Sequence, residues 1–305
     1  MRHKTETRRN FLNRMTPGAV VFEFVNTVVM FFVLFICIYP FINIMAISFN
    51  DAADSVRGSI YFLPRIWSVE SYKRIFASEA LIDATTITVL RTIAGMVTNV
   101  LCCAMLAYPL SKRRLMGRKI YFAYFIFTMM FGGGLVPTYM LYRNLGLIDN
   151  FAVYVLPGLI GMGTVLLVMM FFREIPEEIE ESAKIDGAND FMIFVRIYMP
   201  LSLPCIATIA LFAAVGHWNS WFDSMIFTSS RNLQVLQYLL QKIVTQSETS
   251  ALEQARHGGG FRPSAVSPES VKAAITIVTT MPIIMVYPFL QKYFVKGLVI
   301  GSIKG

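Results

Sequence analysis

Six long apolar stretches, separated by polar segments, organise this sequence. A helix needs about 20 mostly apolar residues to cross the hydrocarbon core of a bilayer, and each stretch has that length. The stretches cover residues 20–47, 84–110, 120–142, 151–172, 201–222 and 271–294. Glycines 132–134, Pro137 and Pro157 interrupt the third and fourth stretches, where neighbouring helices or water must satisfy the exposed backbone groups. The pattern predicts an all-α membrane protein with six transmembrane helices.

Positive charges in the short polar segments predict how these helices cross the membrane. The amino-terminal segment and the SKRRLMGRK turn at 111–119 are both rich in Lys and Arg. Six crossings put these two segments on the same side, and basic residues accumulate in short cytoplasmic loops. Both termini and the 173–200 loop are therefore expected in the cytoplasm, and segments 48–82 and 223–270 outside. The sequence therefore predicts three parts: a basic amino-terminal segment at 1–19, a six-span domain at 20–295 and a cytoplasmic tail at 296–305.

The composition agrees with a membrane location. Hydrophobic residues make up 55% of the chain and charged residues 15%, with a mean hydropathy of +0.57, whereas a soluble domain has about 25% charged residues. The asymmetric loops explain the net charge of +8, so we expect no nucleic-acid partner. The four cysteines lie in apolar stretches and lack the spacing of a metal site or a disulfide framework.

A charged segment, EESAKIDGANDFMIFVRIYMP at 180–200, lies between the fourth and fifth apolar stretches. Pro176 suits a first helical position, and the glutamates that follow complement the helix dipole. Gly187 suits a left-handed helix stop, and Asp190 is expected to cap a second helix. One apolar face of that second helix is predicted to comprise Phe191, Phe194, Val195 and Tyr198.

This segment has two interpretations, an amphipathic connector on the lipid headgroups or a docking element for a soluble protein. Helices that bind anionic lipid prefer Lys and Arg on their polar face. The first helix here instead carries Glu177, Glu178, Glu180 and Glu181. The acidic character favours a protein partner.

The same segment resembles the Glu-Ala-Ala loop of bacterial ABC importer permeases. That loop has Glu-Ala-Ala, three residues, Gly and, after a fixed gap, Ile-x-Leu-Pro. This chain matches at Glu181, Ala183, Gly187, Ile197 and Pro200, whereas Ser182 replaces an alanine and Met199 the leucine. The resemblance implies that the loop couples the chain to a partner ATPase. The implied coupling residues are Glu181, Ser182, Ala183, Asp186, Gly187, Ala188, Phe191 and Pro200.

Two further stretches resemble carbohydrate uptake importers. The ending LQKYFVKGLVIGSIKG is similar to the end of the smaller maltose-permease-type subunit, and FGGGLVPTYMLYRNLGLIDN at 131–150, with LRTIAG at 90–95, is similar to the complex-oligosaccharide subgroup. The resemblance implies the type I ABC importer permease fold in a bacterial plasma membrane. It also implies a second, homologous permease subunit, two copies of a sugar-importer ATPase and an extracellular solute-binding protein.

No phosphate-binding GxxxxGK[ST] loop occurs in the sequence. ATP and Mg²⁺ are therefore expected to be used by the partner ATPase, and this chain is expected to bind no cofactor or metal and to catalyse no reaction alone. By resemblance, the tail reaches toward the ATPase through Lys296, Gly297, Lys304 and Gly305. The alternative is a basic tail that anchors the last span at the headgroups.

Aromatic and polar residues near the outer ends of the third and fifth stretches are candidates for a sugar path. They are Tyr139, Trp218, Asn219 and Trp221. The alternative is an ordinary aromatic belt at the membrane interface.

Arg91 lies inside the second stretch, where a charge is costly and faces protein or water, so we expect a structural ion pair there. By resemblance, the loop at 223–270 is expected to contact the binding protein, and the alternative is a disordered surface loop.

Two other transporter classes remain as alternatives. One is an ABC importer permease for a non-sugar solute. The other is a secondary transporter, for which internal repeats and intramembrane carboxylates are typical. The sequence has no clear repeat and almost no acidic residue inside the six stretches, which disfavours the secondary transporter.

Overall fold

The computed structural model describes residues 17–55, 58–245 and 268–302, and the regular secondary structure of that part of the chain is helical apart from one isolated bridge between Asn50 and Trp67. The α-helices are, in order, α1 (Pro17–Ser48), α2 (Ala52–Ser55), α3 (Glu70–Phe76), α4 (Glu79–Ser111), α5 (Arg118–Met130), α6 (Leu135–Asn144), α7 (Met162–Arg173), α8 (Glu177–Ile185), α9 (Asp190–Ile193), α10 (Met199–Leu201), α11 (Leu203–Asn219), α12 (Phe222–Phe227), α13 (236–245) and α14 (Pro268–Ser302). Short 3₁₀ turns cover Phe151–Tyr154, Leu156–Gly158 and Arg231–Leu233, and Phe194–Tyr198 is a π-helix.

Three helices in the described residues are long and apolar enough to cross a membrane unaided, α1, α4 and the Glu269–Val286 part of α14. Three bent pairs reach that length together: α5 with α6, bent by 110°; Phe151–Gly158 with α7, bent by 47°; and Asp190–Leu201 with α11, bent by 83°. The described residues contain six membrane spans only if each bent pair forms a single span. The number of crossings and their direction therefore stay predictions.

The bends of the third and fourth stretches occur where the sequence predicts interruptions. The break between α5 and α6 spans the three glycines, and Gly134 has a φ of +84°, which favours glycine because it has no Cβ. The 3₁₀ turn that contains Pro157 ends shortly before α7 begins. Helix α5 has 13 residues, which at 1.5 Å per residue is about 20 Å and too short to cross alone.

The described residues fall into two compact units. The first comprises 17–55, 58–73 and the beginning of α14 up to residue 277. Every side chain of α1 between Val20 and Ile38 is exposed, as expected for a surface that meets lipid or another apolar chain. In the same unit the buried Asn50 amide donates to Asp54 Oδ2 at 3.0 Å and its oxygen accepts from the Arg65 backbone N–H at 2.8 Å, which fixes the turn after α1.

The second unit, residues 74–245 with the rest of α14, is built on α4. Helix α4 packs against both α7 and α11. Cys103, Ala104 and Ala107 of α4 are fully buried, as are Val165 and Val168 of α7. Small side chains on α4 allow close approach of the neighbouring helices. This core cluster continues to the buried side chains of the π-helix, so the cytoplasmic segment predicted from the sequence is tied to the helix core.

Candidate functional site

The acidic segment forms the predicted helix and glycine turn. Helix α8 covers Glu177–Ile185, and Pro176 is its N-cap, one position before the first helical residue. Gly187 has a φ of +84°. The N–H of Ala188 donates to the Ala183 carbonyl at 2.9 Å, and the Gly187 N–H donates to the Lys184 carbonyl at 3.0 Å. These two bonds define a Schellman helix end, so a left-handed stop at Gly187 is present.

The second short helix differs from the prediction in its cap and in its faces. Asn189, not Asp190, caps α9, because its side-chain oxygen accepts from the Met192 N–H at 2.8 Å. Asp190 is the first helical residue, and its carboxylate lies 3.4 Å from the Lys184 ammonium.

The predicted single apolar face of this helix is wrong. Phe194 and Tyr198 are buried, whereas Phe191 and Val195 are exposed. Residues 194–198 form a π-helix, whose i→i+5 bonds shift the angular position of each side chain from that of a regular α-helix. The 3.6-residue period therefore does not place these four side chains on one side.

A half-buried ion pair, which sequence patterns did not predict, anchors α8 to the end of α4. The Lys112 ammonium donates to Glu180 Oε2, and the Tyr198 hydroxyl donates to the same oxygen at 2.8 Å. Lys184 donates to the other oxygen, Oε1, at 2.9 Å. The Lys112 nitrogen also lies 3.9 Å from the centre of the Tyr198 ring. We call Lys112, Glu180, Lys184 and Tyr198 the anchor cluster.

Electrostatics of the anchor cluster favour an ionised Glu180. Burial would raise the pKa of this carboxyl, but hydrogen bonds from Lys112, Lys184 and Tyr198 outweigh it and lower the pKa to about 2. The side chain of Glu180 is only 12% exposed, whereas that of the neighbouring Glu181 is 62% exposed. Two adjacent glutamates thus have different environments, one internal and one facing solvent.

The residues that the family resemblance selects lie mostly on the outside of this module. Ala183 and Ala188 are half-buried and pack on the core cluster, so Ala183 contacts its own chain. The other members are exposed, namely Glu181, Ser182, Asp186, Gly187, Phe191 and Pro200. Ile185, which sequence reasoning did not select, is 86% exposed. The exposed members include both acidic and apolar side chains.

The ion pair expected at Arg91 is present. Arg91 is 2% exposed, pairs through Nη2 with the Asp223 carboxylate and donates through Nη1 to the Ser220 carbonyl at 3.1 Å. Its guanidinium also lies 4.4 Å from the centre of the Tyr154 ring. The His217 ring lies directly on the α4 backbone, since a Cβ at Gly95 would come within 2.3 Å of it. Arg91 therefore joins α4 to the start of α12.

The candidate sugar-path residues have separate contacts. The Trp218 indole donates to the Thr279 carbonyl of α14 at 3.0 Å, and the Asn219 oxygen lies 3.4 Å from Gln237 Nε2. Tyr139 stacks on Phe227 with ring centres 6.1 Å apart, and Trp221 packs edge-on against Phe222. These contacts fit an interface belt as well as a sugar path, so the assignment stays a prediction.

Two of the predicted regions extend beyond the described residues. Lys296 and Gly297 belong to α14, which continues to Ser302, so the helix extends past the predicted boundary at 295. Lys304 and Gly305 lie outside the described residues, as does the 246–267 part of the predicted outer loop.

Comparison with known proteins identifies the family. A sequence profile described as "Binding-protein-dependent transport system inner membrane component" matches residues 15–300. The chain belongs to this family. The predicted resemblance to importer permeases is therefore confirmed, as are the inner-membrane location and the permease class. The described helices agree with a multi-pass member of the family.

Similar proteins extend this assignment. The chain is 37% identical over 270 residues, 88% of its length, to the polygalacturonan/rhamnogalacturonan transport system permease protein YtcP of Bacillus subtilis strain 168, and covers 93% of that protein. It is 36% identical to the protein LplC of the same organism over 95% of its length and 97% of that protein.

A solved structure confirms the fold class. It is a crystal structure of a bacterial ABC transporter involved in the import of the acidic polysaccharide alginate, and a chain of it matches with a TM-score of 0.83 and 30% identity. The match covers 92% of this permease and 99% of that chain. The all-helical importer permease fold predicted from the sequence is confirmed.

Proposed function

We propose that this permease is one of two membrane subunits of an ATP-driven importer for a carbohydrate, an oligosaccharide released from a polysaccharide. The single observation that carries the proposal is the 37% identity over 88% of the chain to a permease named for polygalacturonan and rhamnogalacturonan. The alginate importer supports the same substrate class. A non-sugar solute has no comparable support, and the scarcity of intramembrane acids disfavours a secondary transporter.

In this proposal the energy for transport comes from ATP that a separate subunit hydrolyses. The sequence of this permease has no phosphate-binding loop, so ATP and Mg²⁺ are used by two copies of a separate ATPase. The family description names a binding protein, and an extracellular solute-binding protein delivers the sugar. A second, homologous permease subunit completes the pore, and the exposed apolar side chains of α1 suit either that subunit or lipid.

In this proposal α8 is the element that moves with the ATPase. The exposed surface of Glu181, Ser182, Asp186 and Phe191 inserts into a groove of the ATPase, where Glu181 meets a basic residue. Gly187 sets the turn, and Ala183 and Ala188 keep the module on its own core. Lys296 and Gly297, followed by Lys304 and Gly305, extend toward the same partner.

The anchor cluster explains how movement of α8 reaches the spans. Glu180 is bonded to Lys112, which follows the last residue of α4, and to Tyr198, which precedes α11. Helices α4 and α11 pack against each other. A displacement of α8 by the ATPase is therefore expected to displace both helices together, because separating the half-buried pair would leave its charges without partners. A state change of this kind needs contacts that differ between the two ATPase states.

The outer ends of the bent spans are the proposed place for sugar. Trp218 and Asn219 at the end of α11, and Trp221 just before α12, offer aromatic faces and an amide, and Tyr139 offers a further ring. The Arg91–Asp223 pair holds the end of α11 and the start of α12 against α4. Its role in this proposal is structural, and it does not bind sugar.

Transport assays in membrane vesicles test the proposal. Vesicles that contain the permease, its partner subunits and the binding protein are loaded with ATP and given a labelled galacturonate oligosaccharide. Uptake is expected to require ATP and to continue when a protonophore collapses the proton gradient. Uptake that stops with the protonophore while ATP is present would contradict the proposal and favour a secondary transporter.

A further inference from the structure

A basic cleft lies between the beginning of α5 and the end of α7. It has a volume of about 260 Å³ and is lined by Arg118, Lys119 and Phe122 of α5 and by Arg173 of α7. Three cations and one ring thus line one cavity, and no carboxylate is among its lining residues. Pockets for drug-sized ligands are typically about 300–1,000 Å³, so this cleft suits a smaller anionic group.

The cations of the cleft are short of partners. Within the described residues none of the three forms an ion pair. The Arg118 Nε is buried and has no hydrogen-bond partner there, and the contact of Arg173 Nη2 is the thioether sulfur of Met169, at 3.3 Å. A buried guanidinium N–H without an acceptor is costly. An anion in the cleft would accept these bonds and neutralise the charge.

The location of the cleft indicates where the anion comes from. Arg118 begins α5 directly after the basic turn, and Arg173 ends α7 directly before the acidic segment, so both lie at one end of apolar helices. Ile120 and Tyr121, beside the cleft in sequence, are 74% and 50% exposed. Arg118 lies 5.3 Å over the Phe122 ring, which combines charge with an apolar surface. A basic pocket between spans at the cytoplasmic boundary suits a lipid headgroup.

We propose that this basic cleft binds the phosphate of an anionic phospholipid headgroup. The guanidinium groups of Arg118 and Arg173 hold the phosphate oxygens from two sides, Lys119 adds charge, and Phe122 contacts the glycerol or acyl region. The bound lipid would join α5 to α7, which adjoins the acidic segment. The site is independent of the sugar and of the ATPase contacts proposed above.

Binding to the purified full-length permease in detergent tests the cleft. Phosphatidylglycerol, phosphatidylcholine and inorganic phosphate are titrated, and binding is followed by native mass spectrometry and by the rise in Tm. Phosphatidylglycerol is expected to bind and stabilise, whereas phosphatidylcholine and millimolar phosphate do not. Stabilisation by inorganic phosphate without any preference for phosphatidylglycerol would overturn the lipid assignment.

Matched variants locate the binding. Because each basic residue near an anionic lipid contributes roughly fivefold, the double change R118Q/R173Q is expected to weaken phosphatidylglycerol binding about 25-fold. The control R113Q/R114Q removes the same charge from exposed positions of the preceding turn and should leave binding nearly unchanged. The variant R118K/R173K retains charge and should bind better than R118Q/R173Q. Equal loss in R118Q/R173Q and R113Q/R114Q would overturn the proposal.

Discussion

Adjacent glutamates at 180 and 181 show how burial separates residues that a sequence motif treats together. Glu180 accepts bonds from three side chains in the anchor cluster, and Glu181 lies 3.8 Å from the exposed Arg114. Exposed pairs contribute about 0–1 kcal/mol, whereas loss of one partner of a buried pair leaves an unsatisfied charge. Glu180 therefore contributes to stability, whereas Glu181, whose contact with Arg114 is exposed, is accessible to a partner protein.

The first prediction compares these two positions. Glu180→Gln leaves Lys112 without its carboxylate and is expected to lower the free energy of unfolding by roughly 1–3 kcal/mol. Glu181→Gln should change it by less than about 0.5 kcal/mol. Thermal unfolding of the purified permease measures both. Equal effects of the two changes would contradict the anchor cluster.

The second prediction concerns pH. The pKa of Glu180 is lowered from its ordinary value of 4.5 to about 2, so the unfolded chain binds more protons than the folded chain between these values. The stabilisation is complete above pH 4.5 and is lost as pH falls toward 2. The Tm of the wild-type chain should fall more steeply than that of the Glu180→Gln variant between pH 5 and about 3. Parallel curves would show that Glu180 is not selectively ionised.

At the scale of helices, Gly187 allows the turn after α8, and Gly95 allows the close contact between α4 and α11. Gly187→Val places a β-branched side chain at a φ of +84°, a conformation that costs L-residues about 1–2 kcal/mol. The third prediction is that this variant is expressed normally but loses transport, because the turn after α8 is distorted. Gly163→Ala in α7, where an added Cβ meets nothing within 4 Å, is the control. Normal uptake by Gly187→Val would count against a role for α8 in coupling.

The fourth prediction concerns the contact between α4 and α11. At Gly95 a Cβ would come within 2.3 Å of His217 Nε2, so Gly95→Ala must displace the ring or separate the helices. Overpacking of this kind costs about 1–3 kcal/mol. The Tm should fall by several degrees relative to the Gly163→Ala control. If His217→Ala restores the Tm in the Gly95→Ala background, the clash is the cause.

Helix α8 and its glycine stop could be predicted because their signals are local. A run of glutamates and one glycine at a fixed spacing is enough to locate the helix and its end. The glycine break before Leu135 was equally readable. Asp190 was a reasonable cap by residue type, but Asn189 occupies the position from which a side chain reaches the Met192 N–H.

Contacts between distant parts of the chain were less accessible to sequence reasoning. Lys112 and Glu180 are 68 residues apart, and their pairing depends on how α4 ends against α8. The π-helix at 194–198 has no composition that distinguishes it from an α-helix. The prediction that Phe191 and Val195 share one apolar face with Phe194 and Tyr198 was therefore wrong. The partner of Arg91 could be expected from the cost of an unpaired charge, although Asp223 itself could not be derived from spacing.

At the scale of the whole molecule, we propose that this permease is one half of a pore that a separate ATPase moves. The family assignment and the matching importer structure support the permease class. The anchor cluster connects α8 to Lys112 at the end of α4 and to Tyr198 of the π-helix that precedes α11. The cytoplasmic position of α8 is the claim on which this connection to a motor depends.

Thiol labelling of Ser182→Cys tests that claim most directly. A membrane-impermeant maleimide is applied to right-side-out and inside-out vesicles, and labelling above the background of the wild-type cysteines is measured. Labelling is expected in inside-out vesicles only, with protection when the purified ATPase is added. Labelling of residue 182 in right-side-out vesicles would contradict a cytoplasmic position of α8.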